Sequence, residues 1–472
     1  MGFMQSRIEW LKTLAKNRRY QDIAGLLALV LVLLVMSWRL YSHAQTEGPA
    51  QLDHWALASY RDAIYYPIRA VLEGVNPYES RRESAEQYMQ RYDVGSHFPL
   101  YSPLLLALMF PLGLLPYGAS MLAFFVLNLG LLLLLAYLSL RSCQLPITLG
   151  TLCGLAAAIT ASQPGRGNFN AGQAILLLAC AAAVALGMSQ QRWARILSVA
   201  LLTVKPTIGG PLGLLLLARR EYLVAIAGLG VGGIVGGLLM GAIFARSGDL
   251  TYSRATAVIQ GNLSHFQDDP EHRYAHTCHL DLASVIPKLI GRELPAGTGL
   301  FIAALVLLTT GAVLWYATRD RAALPALHES PASLSSALVV VAMFVCVYHL
   351  VYDALLLVTP ILAASFSAHE SWQRIGKRVR WSAALLMLVP MVNIFFSEGF
   401  TRLMQRFSIP FGPDTGLLGD GLFRLALTGN GLALLACWIL LLWGALRHRK
   451  VSPEARAEPV LRQRPLELIA GN

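Results

Sequence analysis

Long apolar runs, separated by short polar turns, dominate the chain from Asp22 to Leu446. Runs of about 17 to 25 apolar residues suit helices that cross a bilayer, whose hydrocarbon core is roughly 30 Å thick. The pattern predicts an all-α, polytopic membrane protein with about twelve transmembrane helices, because a helix satisfies its own backbone groups in lipid. The predicted spans are residues 22–42, 119–140, 145–162, 172–189, 193–204, 207–218, 222–245, 298–318, 334–348, 350–366, 380–397 and 420–446.

Two segments depart from this pattern. Residues 100–117, which include "LYSPLLLALMFPLGLLP", are apolar but short and contain three prolines, so we expect a re-entrant or shortened helix there. The stretch "SVALLTVKPTIGGPLGLLLLARR" places Lys205 and Pro206 inside an apolar run. Because proline interrupts a helix and a buried lysine is costly, residues 193–218 are predicted to form a hairpin of two short helices with Lys205 at its tip.

The charged residues favour one orientation of these spans. Hydrophobic residues make up 55% of the chain and charged residues 14%, with a net charge of +11. The basic residues cluster beside the spans in the manner of the positive-inside rule, which favours membrane topology over nucleic-acid binding. We therefore expect cytoplasmic termini (1–21 and 447–472), a single transmembrane domain (22–446), and outer segments at 43–99, 246–297 and 398–419.

The first outer segment contains a candidate catalytic base. The stretch "DHWALASYRDAIYYPIRAVLEG" has apolar and aromatic residues at helical spacing, which predicts a helix lying along the membrane interface. Asp62 lies in this helix, where a carboxylate at membrane level could take the proton of a hydroxyl group. Asp53 and Asp93 are alternative bases, and Asp62 could instead simply pair with Arg61 or Arg69.

Lys205 and His349 are candidate ligands of a phosphate group. A lysine at a hairpin tip offers a point charge for phosphate, although it could instead extend toward lipid headgroups. The stretch "VCVYHLVYDALLLV" places His349 and Asp353 four residues apart, on one face of a predicted helix near the outer surface. His349 could donate to a phosphate while Asp353 orients its ring, and a satisfied buried polar pair is the alternative.

The connection "ASQPGRGNFNAGQAILLL" contains further polar side chains between two apolar spans. Arg166, Asn168, Asn170 and Gln173 are predicted at the start of a helix, where hydrogen-bond donors favour phosphates or sugar hydroxyls. Ordinary capping of the helix by Asn170 is the alternative.

No metal centre is predicted. The six cysteines form no CxxC pair, which indicates neither a disulfide framework nor a zinc site. Asp268, His272, His276 and His279 are close together in "DDPEHRYAHTCHLDLASVIPKLIG", but their spacing matches no strong metal-binding pattern. We therefore expect that the protein requires no metal and no other cofactor.

Five stretches in chain order carry a family resemblance. They are "GVNPY", "FPLYSPLLLALMFPLGLLP", "FNAGQAILLLACAAAVAL", "ALLTVKPTIGGPLGLLLLARREY" and "VYHLVYDALLL". Over roughly residues 20–440 the chain resembles glycosyltransferase family 87, the bacterial branch of the GT-C membrane glycosyltransferases. Within that family it is similar to mannosyltransferases that use polyprenyl-phosphate mannose as the donor.

This resemblance implies a reaction and a location. A hexose, in the first instance mannose, would pass with inversion from a polyprenyl-phosphate carrier to a lipid or glycan acceptor of the cell envelope. The enzyme would lie in the inner (plasma) membrane of a bacterium, among membrane lipids, with its active site facing outward. The outer segments contain no DxD motif, so the resemblance gives no support to a metal requirement.

The resemblance also implies roles for individual residues. A carboxylate of the first outer segment would be the base and corresponds to Asp62. Lys205 and His349 would contact the donor phosphate, and Arg69 is a further candidate for that contact. The candidates for binding the sugar or the acceptor are Asn168, Asn170, Gln173 and Asp353.

A transporter or flippase of a lipid-linked sugar is the principal alternative, since broken helices and charges at the bilayer midplane occur there too. Such proteins commonly contain inverted repeats, and no internal repeat is evident in this sequence. A non-catalytic membrane scaffold is a third alternative, which the intramembrane Lys205 and His349 disfavour.

Overall fold

The computed structural model describes most of the apolar spans and part of the polar segments. The described residues are 17–44, 57–78, 82–92, 101–247, 279–292, 294–295, 297–318, 330–393 and 417–447, with a few single residues between 253 and 409. Asp53, Asp93, Asp268, His272 and His276 lie outside them. Most of both predicted cytoplasmic tails also lies outside.

The secondary-structure elements of the described ranges are all helices. An isolated antiparallel bridge between His279 and Leu350 is the β-pairing found in these ranges. In chain order the helices are α1 (Arg18–Ala44), α2 (58–72), α3 (Arg82–Tyr92), α4 (Pro103–Leu108), α5 (Phe110–Gly113), α6 (Tyr117–Ser142), α7 (Leu149–Ala161), α8 (Gln163–Ala171), α9 (Ile175–Met188), α10 (Arg192–Leu202), α11 (Pro206–Ala218), α12 (Tyr222–Arg246), α13 (Leu282–Ile290), α14 (Thr298–Ala317), α15 (Leu334–Cys346), α16 (Val351–Phe366), α17 (Glu370–Arg374), α18 (Lys377–Val392) and α19 (Leu417–Arg447).

The predicted all-α membrane fold is confirmed. Within the described ranges, five helices are long and apolar enough to cross a bilayer alone: α1, α6, α12, α14 and α19. Each of the other predicted spans also contains a helix, but a shorter one. Lipid-facing positions of the long helices carry exposed leucine and isoleucine, as expected where the surrounding solvent is hydrocarbon.

The predicted helical hairpin at residues 193–218 is present and breaks at its lysine. Helix α10 ends at Leu202, and α11 begins at Pro206, a residue that fits the first turn because its missing N–H has no intrahelical partner there. Lys205 lies between the two helices with extended backbone angles. A Cβ on Gly209 would overlap the backbone of Leu202 and Thr203, so only glycine allows the two helices to approach this closely.

The proline-rich segment at residues 100–117 forms two short helices, α4 and α5, before the long helix α6. Each short helix has a proline in its first turn, so the chain restarts twice instead of continuing. The backbone N–H of Ser102 donates to the carbonyl of Val204 at 2.9 Å. This contact attaches the shortened segment directly to the hairpin tip.

A buried ion network holds the opposite end of the hairpin. Glu221 contacts Arg195 of α10, and its other oxygen lies 3.1 Å from Arg219. The Arg219 guanidinium is fully buried and also donates to Ser336 of α15 at 3.1 Å. The single carboxylate therefore compensates two buried cations and ties the hairpin to the centre of the bundle.

Replacing Glu221 tests this network. Glu221→Gln removes the carboxylate that contacts both buried guanidinium groups, which we expect to lower the free energy of unfolding by about 3 kcal/mol. Denaturant unfolding of the purified protein in detergent measures this change. Glu370→Gln is the matched control. Glu370 pairs with Arg374 in an exposed i, i+4 position, so this change should alter the free energy of unfolding only slightly. Equal stability of Glu221→Gln and Glu370→Gln would contradict the structural role of the network.

Candidate active site

Lys205, His349 and Asp353 meet at one end of the helix bundle. The Lys205 Nζ atom lies 2.6 Å from both carboxylate oxygens of Asp353. The His349 Nδ1 atom lies 3.1 Å from Asp353 Oδ2, which also accepts from the backbone N–H of Leu350 at 3.1 Å. Asp353 and His349 are completely buried, and Lys205 retains 9% exposure. We call these three residues the Lys205 cluster.

The pairing of His349 with Asp353 was predicted, but its structural basis was not. The sequence suggested two residues on one face of a continuous helix. Instead, α15 ends at Cys346, and His349 is extended, with its carbonyl accepting from Leu280 N–H at 3.0 Å. Helix α16 begins with a 3₁₀ turn, Val351–Leu357, in which the Asp353 side chain caps Leu350 N–H. The cap, and not the helical repeat, directs the carboxylate toward His349.

The hydrogen-bonding capacity of the cluster is only partly used. A lysine ammonium has three donors, and Asp353 takes two of them, so one N–H of Lys205 remains beside the Tyr352 ring, whose centroid is 5.1 Å away. Asp353 favours the His349 tautomer with its proton on Nδ1. The opposite atom, Nε2, is buried and has no hydrogen-bond partner among the described residues. Protonated, it would donate to an anion.

Tyr101 and Gln173 connect this cluster to the interfacial helix α2. The Tyr101 hydroxyl donates to the Gln173 side-chain oxygen and accepts from Ala174 N–H at 3.2 Å. The Gln173 amide then donates to Ser59 Oγ at 2.7 Å. Since Ser102, next to Tyr101, bonds to Val204, one polar chain runs from α2 to the residue preceding Lys205.

Asp62 lies in α2, three residues after Ser59. Residues Arg61–Tyr65 form a π-helical turn, a feature that is frequent at functional sites. The Asp62 carboxylate is 2.8 Å from Arg61 Nε, and its side chain is 14% exposed. Burial, reinforced by the negative charge of Asp62, raises the pKa of the Tyr88 hydroxyl in α3 well above its usual value. Asp62 therefore pairs with Arg61, as the alternative interpretation of the sequence expected, and its role as a base stays a prediction.

A cleft of about 460 Å³ opens along α2 beyond Asp62. Its lining is largely aromatic, and the Tyr66 and Tyr117 rings are stacked with centroids 6.2 Å apart. Arg69 and Glu73 supply its charges and lie 3.6 Å from each other. Arg69 therefore lines this cleft and pairs with Glu73, and no contact joins it to the Lys205 cluster in the described part of the chain. Its role in phosphate binding stays a prediction.

The polar connection between α7 and α9 is folded differently from the prediction. The sequence predicted the start of a helix, but Asn168 and Asn170 lie in the last turn of the additional short helix α8. Ser162 caps that helix by accepting from Gly165 N–H, and Gly172 ends it with a φ of 73°. The Asn168 amide is buried and directed toward Asn128, 3.4 Å away, so it faces the bundle interior.

Two further predicted ligands of sugar or acceptor have structural partners. Asp353 is fully buried and both of its oxygens are occupied within the cluster, so its geometry favours positioning of Lys205 and His349 over contact with a sugar. Gln173 is 2% exposed and holds Tyr101 and Ser59. The role predicted for Asn170 stays a prediction. Its backbone carbonyl accepts from Leu57 N–H at 2.5 Å, and its buried side-chain oxygen has no hydrogen-bond partner in the described part of the chain.

Sequence reasoning missed Tyr101 and Asp281. Tyr101 lies in "FPLYSP", and nothing in its spacing marks it as a bridge between helices. Asp281 caps α13, accepts from Ser284 N–H at 2.9 Å, and is buried near His349. Burial raises the pKa of the Asp281 carboxyl, opposed by Ser284 and by the charge of His349. The signal for Asp281 was present in "HLDLAS", where an aspartate precedes an apolar run.

The fold and the cluster define a polytopic helical membrane protein with a buried, paired lysine between two short helices. Residues 99–348 match the family model of glycosyltransferase family 87, which is more than half of the chain. The chain belongs to this family and is a membrane glycosyltransferase. No curated protein and no solved structure matches it significantly.

A double-mutant cycle separates the structural role of the cluster from its chemistry. Lys205→Met leaves the buried Asp353 carboxylate without its counter-ion, and we expect a loss of about 3 kcal/mol in the free energy of unfolding. Lys205→Met with Asp353→Leu removes both charges and should recover much of that loss, as measured by denaturant unfolding in detergent. Additive losses in the double variant would show that the pair is not energetically coupled.

Proposed function

We propose that this membrane glycosyltransferase transfers a hexose, in the first instance mannose, from a polyprenyl-phosphate carrier to a lipid or glycan acceptor. The proposed reaction takes place at the extracytoplasmic face of a bacterial inner membrane and inverts the anomeric centre. The observation that carries the proposal is the Lys205 cluster, in which one lysine N–H and His349 Nε2 have no hydrogen-bond partner among the described residues.

The proposed donor suits this arrangement because its charge lies at the membrane surface and its chain in the bilayer. When the bond between the sugar C1 and the phosphate oxygen breaks, negative charge grows on the leaving polyprenyl phosphate. The free N–H of Lys205 and a protonated His349 would stabilise that charge more strongly in the transition state than in the bound donor. Asp353 holds both groups in place and so reduces the reorganisation that the step requires.

Asp62 is the proposed base on the opposite side of the sugar. It would accept the proton of the acceptor hydroxyl as that oxygen attacks C1, and an inverting displacement requires the base and the leaving group to be separated in this way. The cleft along α2 begins at Tyr65, three residues after Asp62, and tyrosine faces are suited to pack on a sugar or polyol of the acceptor. The polar chain through Ser59, Gln173 and Tyr101 fixes α2 relative to the Lys205 cluster.

Membership of glycosyltransferase family 87 favours a transferase over the alternative of a transporter or flippase. The proposed mechanism uses only side chains of the protein. Because no step requires a divalent cation, we propose that transfer continues at the same rate in the presence of EDTA.

Asp62→Asn tests the assignment of the base. The variant keeps the shape of the side chain and removes its basicity, so we expect a loss of about 10²- to 10⁴-fold in the rate of transfer. The measurement uses radiolabelled polyprenyl-phosphate mannose, candidate acceptors and purified protein. Asp420→Asn is the control. Asp420 forms a partly exposed i, i+4 pair with Arg424, and its replacement by asparagine removes the same charge as Asp62→Asn.

Two results would contradict this assignment. Full activity of Asp62→Asn would move the base to Asp53 or Asp93. Transfer from a soluble nucleotide sugar, with none from the polyprenyl-phosphate sugar, would contradict the proposed donor.

A further inference from the structure

An apolar groove of about 440 Å³ lies between helices α7, α16 and α18. Leu155, Ala158 and Ile159 of α7 form one wall, and Ile361 and Leu362 of α16 form another. The third wall is the end of α18 at Leu388, Met391 and Val392. The groove is therefore bounded in part by α16, the helix whose first turn contains Asp353 of the Lys205 cluster.

The rim of this groove at the start of α8 is polar. Ser162, Gln163 and Arg166 line it, and Arg166 donates to the Gln163 side-chain oxygen at 2.8 Å. The Arg166 Nε atom is buried and has no hydrogen-bond partner among the described residues. An apolar channel with one cationic end matches the chemistry of an anionic lipid.

A second arginine strengthens the positive charge of this rim. Burial, together with the positive charge of Arg39 at the end of α1, lowers the pKa of the Arg166 guanidinium. In the described ranges, no carboxylate lies within ion-pair distance of Arg39 or Arg166. The buried Arg166 Nε, which has no partner among the described residues, favours an external anion at this end of the groove.

The rim adjoins the Lys205 cluster. Gly167, next to Arg166, packs on Tyr352, so that a Cβ on Gly167 would lie 3.7 Å from the Tyr352 Cβ. The Tyr352 ring in turn lies beside Lys205 Nζ. A lipid whose chain lies in the groove would therefore place its headgroup next to the cluster. The cleft on α2, by contrast, is lined by four tyrosines and by the charged pair Arg69 and Glu73.

We infer that this groove binds the polyprenyl chain of the donor, with Arg166 attracting its phosphate toward Lys205. This inference rests on the proposed function. Transfer of a lipid chain from the bilayer into an apolar groove gains little hydrophobic free energy, because both environments are apolar. The groove instead fixes the position of the phosphate relative to Lys205, and small misplacements of reacting groups slow a reaction strongly.

Ala158→Trp tests the groove by filling it. Ala158 is exposed on α7, so a larger side chain points into the groove without entering the protein core. Ala242→Trp is the matched control, since Ala242 is an exposed alanine four residues before the end of the lipid-facing helix α12. Both variants are compared with the wild type using a long polyprenyl-phosphate mannose and a two-isoprene analogue.

We expect Ala158→Trp to lower kcat/KM for the long donor about tenfold or more and to leave the short donor and the KM of the acceptor unchanged. Retained activity on the short donor also shows that the variant is folded. Ala242→Trp should behave as the wild type. An equal loss with both donors, no loss with either, or a raised KM for the acceptor alone would overturn the inference.

Photo-crosslinking with a diazirine-bearing polyprenyl phosphate, which carries no sugar, gives a readout that does not require catalysis. We expect wild-type protein to be labelled at the groove residues of α16 and α18, and Ala158→Trp but not Ala242→Trp to lose this labelling. Labelling elsewhere would overturn the inference. Groove labelling without transfer from any polyprenyl donor by the wild type would instead contradict the proposed function and retain the lipid site.

Discussion

The ion pair between Lys205 and Asp353 is the interaction on which the rest of the site depends. A lysine inside an apolar bundle must be compensated, and here a single carboxylate contacts the ammonium through both oxygens. The same carboxylate holds His349 and caps the first turn of α16. Because Asp353 makes all of these contacts, it fixes the position of Lys205, the orientation of the His349 ring and the start of α16 together.

Several irregular features of the fold follow from this requirement. The chain reverses at Lys205 and Pro206, which leaves two helices of partial height and a polar tip inside the bundle. The tip is covered by the proline-rich segment, whose Ser102 bonds to Val204, and Tyr101 extends the contact to Gln173 and α2. At the far end, Glu221 compensates Arg195 and Arg219. The two ends of the hairpin are thus held by separate ion networks, and the end at Lys205 is connected through Tyr101 and Gln173 to α2, the helix that contains Asp62.

Sequence patterns predicted the helices well, because each apolar run must become a helix in lipid and each break contains a proline, a glycine or a charge. The hairpin at Lys205, the shortened segment before α6 and the interfacial helix at Asp62 all carry such local signals. The helical spacing of His349 and Asp353 correctly predicted their contact. The two residues do not share a helix face, however, and the contact depends on the capping of Leu350 N–H by the Asp353 side chain. Short-range pattern cannot report contacts such as Tyr101 to Gln173, which depend on how distant helices pack.

The chain belongs to glycosyltransferase family 87, and the matched residues end at 348, immediately before the segment that contains His349 and Asp353. The central claim is that the Lys205 cluster is the binding site of a carrier phosphate. A structure determined by electron microscopy with bound polyprenyl phosphate tests it directly. We predict the phosphate within hydrogen-bond distance of Lys205 Nζ and His349 Nε2. A phosphate bound at the opposite end of the bundle, beside Glu221 and Arg219, would contradict the account.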